Sequence, residues 1–121
     1  MKVVICDDQA IVREGLAMLL GLERDIQVAG VAEDGAQAVE LVAQKAPDLV
    51  LMDLKMPGMN GIEATRQIRA RFPEVKVLVL TTYDDDEWVF DAVRAEAADY
   101  LLKDTPREEV IRAVRGTIDR K

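Results

Sequence analysis

A doubly wound α/β fold is predicted by three features of this 121-residue chain. Short apolar runs alternate with amphipathic helical stretches, about five times along the chain. Runs such as Leu49-Val50-Leu51-Met52 are apolar on both faces, as strands of a parallel sheet covered by helices on both sides must be. The connections are short and no linker interrupts them, so residues 1–121 read as one domain. Right-handed crossovers leave few topologies, and we expect a single flavodoxin-like (βα)5 parallel sheet in the order 2-1-3-4-5.

The elements follow in order. Lys2–Asp7 is a β-branched run closed by two acids and reads as a buried strand. Gln9–Gly21 places Ile11, Val12, Leu16, Leu19 and Leu20 on a helical stripe, with Gly21 as a stop. Ile26–Ala32 reads as the second strand. Asp34-Gly35 opens a helix carrying Ala38, Val39, Leu41 and Val42, which Pro47 ends. Asp48–Asp53 is the third strand, and Pro57-Gly58 marks a turn. Asn60 with Glu63 three residues later resembles a capping box for a helix running to about Arg71. Val75–Leu80 is the fourth strand. Asp84-Asp85-Asp86 suits a helix start, where the macrodipole favours acids, and that helix should reach about Glu96. Asp99–Leu102 is the fifth strand. Thr105-Pro106-Arg107-Glu108 then forms a full cap for a last helix with Val110, Ile111, Val114 and Ile118 on one face.

Composition narrows the chemistry. Half the residues are hydrophobic and 32% are charged, the balance of a globular protein. No apolar run approaches the ~20 residues of a membrane span, and no secretory signal follows Met1, so a cytoplasmic protein without membrane contact is expected. The net charge of −7 argues against this domain gripping nucleic acid itself. A single cysteine allows no internal disulfide. Histidine is absent, which removes imidazole bases, His metal ligands and phosphohistidine from this chain.

In such sheets ligands bind at the carboxyl ends of the strands. Those ends carry Asp7-Asp8, Asp53, Thr81-Thr82 and Lys103. With strands one and three adjacent, three carboxylates converge, and a hard divalent cation would relieve their repulsion. Magnesium (or manganese) suits one or two carboxylates, a carbonyl and several waters. Asp53 can act as a nucleophile toward a phosphoryl group, giving an acyl phosphate. Lys103 can neutralise one phosphoryl oxygen and the Thr81 hydroxyl can bond another. Taken singly, each residue has a plainer reading: acids as helix caps, Lys103 as a surface lysine, Thr81 as a turn filler. Cys6 reads as a small buried hydrophobe, and Met52, Met56 and Met59 as packing residues.

Four separated motifs resemble the receiver domain of bacterial two-component response regulators. They are Ile5-Cys6-Asp7-Asp8, Leu51-Met52-Asp53-Leu54-Lys55-Met56-Pro57-Gly58-Met59-Asn60-Gly61, Leu80-Thr81-Thr82-Tyr83 and Tyr100-Leu101-Leu102-Lys103-Asp104. The resemblance covers essentially the whole chain and is strongest to the NarL/FixJ type, usually transcription factors with a C-terminal LuxR-type helix-turn-helix domain. It implies that Asp53 accepts a phosphoryl group from a sensor histidine kinase. It implies magnesium ligation by Asp8, Asp53 and the backbone carbonyl of Lys55, with Asp7 acting through water. Thr81 becomes the switch hydroxyl, Lys103 the phosphate-pairing lysine, and Tyr100 the aromatic that swings inward. The only catalysis implied is of its own phosphorylation and dephosphorylation.

One stretch departs from the pattern. Glu96-Ala97-Ala98-Asp99 stands where the family usually has a glycine-alanine pair, which leaves open how the preceding helix ends. We expect the chain to be the receiver of a longer regulator whose C-terminal output domain binds DNA, with a stand-alone receiver acting through protein contacts as the alternative. A phosphorylation-dependent homodimer is expected, through helices one and five or through helix four, strand five and helix five. Three rivals fit less well. A phosphohydrolase of the haloacid-dehalogenase kind needs an acid where Lys55 stands. A flavin or nucleotide binder needs a phosphate loop where Asp7-Asp8 stands. A bare interaction module has no need of the acid–Lys–Thr constellation.

Overall fold

The computed structural model describes residues 1–54, 56, 58–81, 91–93 and 95–119. Five strands form one sheet: β1 (Lys2–Cys6), β2 (Gln27–Ala32), β3 (Leu49–Asp53), β4 (Lys76–Thr81) and β5 (Asp99–Leu102). Four helices are described in full: α1 (Ala10–Gly21), α2 (Gly35–Lys45), α3 (Gly61–Arg71) and α4 (Arg107–Asp119), the last being the helix expected fifth along the chain. The sheet order is β2-β1-β3-β4-β5 and every pair is parallel, as the sequence predicts.

Strand alternation sorts the core into two layers. Val4, Cys6, Val50, Met52, Val77 and Val79 face α2 and α3. Val3, Ile5, Leu49, Leu51, Leu78 and Leu80 face α1 and α4. β1, β3 and β4 are interior strands, and their apolar side chains are buried on both faces. Fully burying one such aliphatic side chain contributes roughly 1.5–3 kcal/mol. The strongest apolar packing therefore lies directly beneath the carboxyl-end rim.

Helix ends match expectation in part. The Asn60 side chain caps α3 by accepting from Ile62 N and Glu63 N at 3.0 Å each. Glu63 does not close the reciprocal half of a capping box among the described residues; its carboxylate lies 3.7 Å from Arg66. The Thr105 hydroxyl donates to the Leu102 carbonyl at 2.6 Å, so it ties α4 back to β5 rather than capping the helix. α1 also differs from its predicted stripe. Leu20 is buried, but Ile11 is 82% exposed because it shares the outer face with Met18 and Leu22.

Residues 91–93 are helical, within the stretch expected as the fourth helix; Asp84-Asp85-Asp86 lies outside the described residues. That helix ends without glycine. Glu96 takes φ +71°, its N–H bonds Val93 O, and Ala97 N–H bonds Ala92 O, both at 3.1 Å. These two bonds make a Schellman motif with glutamate at the left-handed position. Ala98 N–H then bonds Val77 O and starts β5 alongside β4.

Candidate functional site

β1 and β3 are adjacent, with Cys6 opposite Met52, so Asp7 follows β1 at the level where Asp53 ends β3. Asp7 is buried and held on three sides. Its N–H bonds Ala32 O, its Oδ1 accepts from Gln9 N at 2.9 Å, and its carbonyl accepts from Arg13 Nη1 at 2.8 Å. Asp53 is buried and Asp8 exposed. Each of the three offers a carboxylate oxygen within 4.8 Å of the others.

The backbone around Asp53 is set by two close approaches. A Cβ on Gly61 would lie 2.1 Å from the Asp53 carbonyl oxygen, so α3 can start against this strand end only with glycine there. A Cβ on Gly35 would lie 2.5 Å from Met59 O, which Gly35 N–H instead bonds at 3.1 Å. The loop after Asp53 is thereby tied to the first turns of both α2 and α3.

Lys103 follows β5, and its N–H bonds Thr81 O at 2.7 Å. Its ammonium lies 3.2 Å from Asp53 Oδ1 and 3.5 Å from Asp7 Oδ2. Two acids therefore share one cation, with Asp8 beside them. Like charges ~4 Å apart repel by about 4 kcal/mol at an effective dielectric constant near 20. Burial, then the Asp7 charge, raise the Asp53 carboxyl to about 6, against the opposing pull of Lys103. Burial alone would lower Lys103, but Asp53 and Asp7 outweigh it and hold the ammonium above its ordinary range.

Among the described residues, Asp53 Oδ2 has no hydrogen-bond partner, and Asp7 Oδ2 has none closer than the Lys103 ammonium at 3.5 Å. Buried carboxylate oxygens left short of donors in a surplus of negative charge are what a hard divalent cation satisfies, so the donor set fits magnesium or manganese. Asp7, Asp8 and Asp53 would hold it; Lys55, whose carbonyl is the fourth expected ligand, lies outside the described residues.

Thr81 is buried at the end of β4, one residue past Leu80, which pairs with Asp53. Tyr100 is 47% exposed on β5, opposite Val79, on the sheet face that Thr81 shares. Thr82 and Tyr83 lie outside the described residues. Cys6 is buried, with Sγ 3.3 Å from Asp34 O and 3.4 Å from Met56 Sδ. Burial, then the charge of Asp53, push its thiol up, so it is a packing residue beside the site. Sequence reasoning missed Arg13 and Gly61. The signal for Arg13 was a cation in the first turns after an acid pair, and for Gly61 a glycine directly behind an N-cap.

The response regulator receiver domain family matches residues 3–115. Oxygen regulatory protein NreC from Staphylococcus haemolyticus is 46% identical over 116 residues, covering 95% of this chain and 54% of its own length. Transcriptional regulatory protein YxjL from Bacillus subtilis is 44% identical, with 96% and 53% covered. The chain thus spans about half the length of these curated relatives. Among solved structures, the signal receiver domain assigned to NarL from Mycobacterium tuberculosis superposes with a TM-score of 0.93 at 36% identity, covering 99% and 97% of the two chains. A LuxR-family DNA-binding response regulator from Staphylococcus aureus gives 0.91 at 27% identity, covering 98% of each.

Proposed function

The chain belongs to the response regulator receiver domain family, in its NarL/LuxR branch, and from that premise we propose that Asp53 takes a phosphoryl group from a sensor histidine kinase and that the change is passed to a DNA-binding output domain. The observation that carries the chemistry is the buried Asp53 carboxylate beside Lys103, with Asp7 and Asp8 in reach of the same point. A carboxylate oxygen of Asp53 attacks phosphorus. The phosphorus–nitrogen bond of the donor breaks, and its electron pair leaves on the imidazole nitrogen, which takes up a proton. This chain has no histidine, so that nitrogen belongs to the partner. Attack of water on the acyl phosphate later restores the carboxylate and releases inorganic phosphate.

Asp7, Asp8, Asp53 and the Lys55 carbonyl would hold magnesium in this reading, and the ion when bound would neutralise phosphoryl charge. Lys103, charged at neutral pH, pairs with a phosphoryl oxygen, and the Thr81 hydroxyl bonds another. Thr81 moving toward the phosphate vacates space on the face it shares with Tyr100, and the half-exposed ring turns in to fill it. A small charge change is thereby converted into a new surface. The surface is read by a second copy of the chain, because symmetric dimers suit paired DNA half-sites. Ile11 and Met18 of α1, with Leu22 just past its end, supply an exposed apolar stripe on which the second copy can seat. The reading places the protein in the cytoplasm, with DNA contact made only by the output domain.

Incubation with magnesium and acetyl phosphate, followed by intact-mass spectrometry, tests the acceptor. One phosphate should be added, and none to Asp53→Asn. Equal labelling of the variant would remove Asp53 from its role.

A further inference from the structure

We infer that Arg13 is a positioning residue for the cation site, holding the Asp8 carboxylate where the three acids converge. The inference rests on the magnesium reading above. Asp7 has direct restraints on its side chain: Gln9 N–H on Oδ1 and the Lys103 ammonium near Oδ2. Asp8 is exposed, and among the described residues no N–H donor to its carboxylate is found; its side chain reaches Asp53 and is otherwise aimed by its backbone. The carbonyl of Asp7 and the N–H of Asp8 belong to one planar peptide unit. Ala32 O fixes the near side of Asp7 through its N–H, and Arg13 Nη1 fixes that carbonyl at 2.8 Å.

Arg13 is itself well placed to act as a clamp. Its backbone N–H bonds Gln9 O in the first turn of α1. Its side chain is only 14% exposed, and Nη2 meets Glu33 Oε1 at 3.4 Å. One arm of the guanidinium is thus on the Asp7–Asp8 peptide and the other on the loop after β2. A planar fork does this at lower entropic cost than a lysine.

Charge and positioning make opposite predictions. Arg13 is a cation near a dication site, so removing its charge should by itself tighten magnesium binding. If its work is positioning, removing it loosens the site instead. Calorimetric titration with Mg²⁺ alone on the wild type, Arg13→Met and Arg13→Lys distinguishes them, with metal-free melting recorded for each. We expect Arg13→Met to bind magnesium on the order of tenfold more weakly, as loss of a supporting partner does at metal sites. Arg13→Lys, with one donor kept, should fall between. Unchanged or tighter binding by Arg13→Met, even with a lowered melting temperature, would overturn the inference. Should that variant fail to fold, Arg13→Lys decides alone: weaker binding at unchanged charge supports positioning, and equal binding overturns it. No magnesium binding by the wild type would overturn the cation site itself.

Discussion

Asp53 is 3% exposed and has Asp7 for a neighbour, and these raise its carboxyl to about 6, with burial the larger cause. Because the folded value lies above the ordinary 3.8, ionising Asp53 opposes folding. The penalty is full above about pH 6 and fades as the pH falls toward the ordinary value. Asp53→Asn removes a cost on the order of 2 kcal/mol. Without metal at pH 7.5 the variant should melt on the order of 5 °C higher. The gap should narrow by pH 5, and magnesium should stabilise the variant less than the wild type. Thermal melts across pH check this, and a lower melting temperature for the variant at pH 7.5 would mean that the Lys103 pair outweighs the repulsion. Asp7, Asp53 and Lys103 were legible because strand-end position depends only on the apolar pattern before them. Arg13 was not, since a cation after an acid pair is common and its partner here is a backbone carbonyl, which residue type does not mark.

Strands were the most legible elements, because burial on both faces demands unbroken apolar runs. Helix faces and ends were less so. Ile11 fitted the inward stripe by identity, but α1 carries apolar residues on two faces, and only packing against the sheet distinguishes them. Thr105 matched a cap signature, yet its hydroxyl bonds backward to Leu102. The end before β5 turned on a conformation that sequence disfavours: Glu96 at φ +71°. A non-glycine residue there costs about 1 kcal/mol or more, since its Cβ crowds the following carbonyl. Glu96→Gly should therefore raise stability by roughly 0.5–1 kcal/mol after glycine's own entropic cost. Chemical denaturation with an unchanged m-value would show it, whereas a loss of stability would mean that the glutamate makes contacts worth more than the strain.

The whole molecule carries a net charge of −7, and among the described residues no helix is long and apolar enough to cross a membrane. Among the described residues the three most exposed large apolar side chains line up on α1 and its C-cap: Ile11 at 82%, Met18 at 72% and Leu22 at 66% exposure. Such a stripe is poor as a free surface and suited to a second copy. Sedimentation velocity over a concentration series should show mostly monomer without a phosphoryl mimic and tighter dimerisation with beryllofluoride. Met18→Glu should abolish the dimer while leaving Asp53 competent for phosphorylation. Identical association in both states would leave the acceptor site standing and remove dimerisation as its output.

The proposed function depends on where the phosphoryl group goes. Borohydride reduces an acyl phosphate to an alcohol, converting a phosphorylated aspartate to homoserine. After treatment with magnesium and acetyl phosphate, borohydride trapping and peptide mass spectrometry should find homoserine at position 53 and at no other acid. Homoserine at Asp7 or Asp8 instead, or none in a folded and magnesium-loaded protein, would contradict the account.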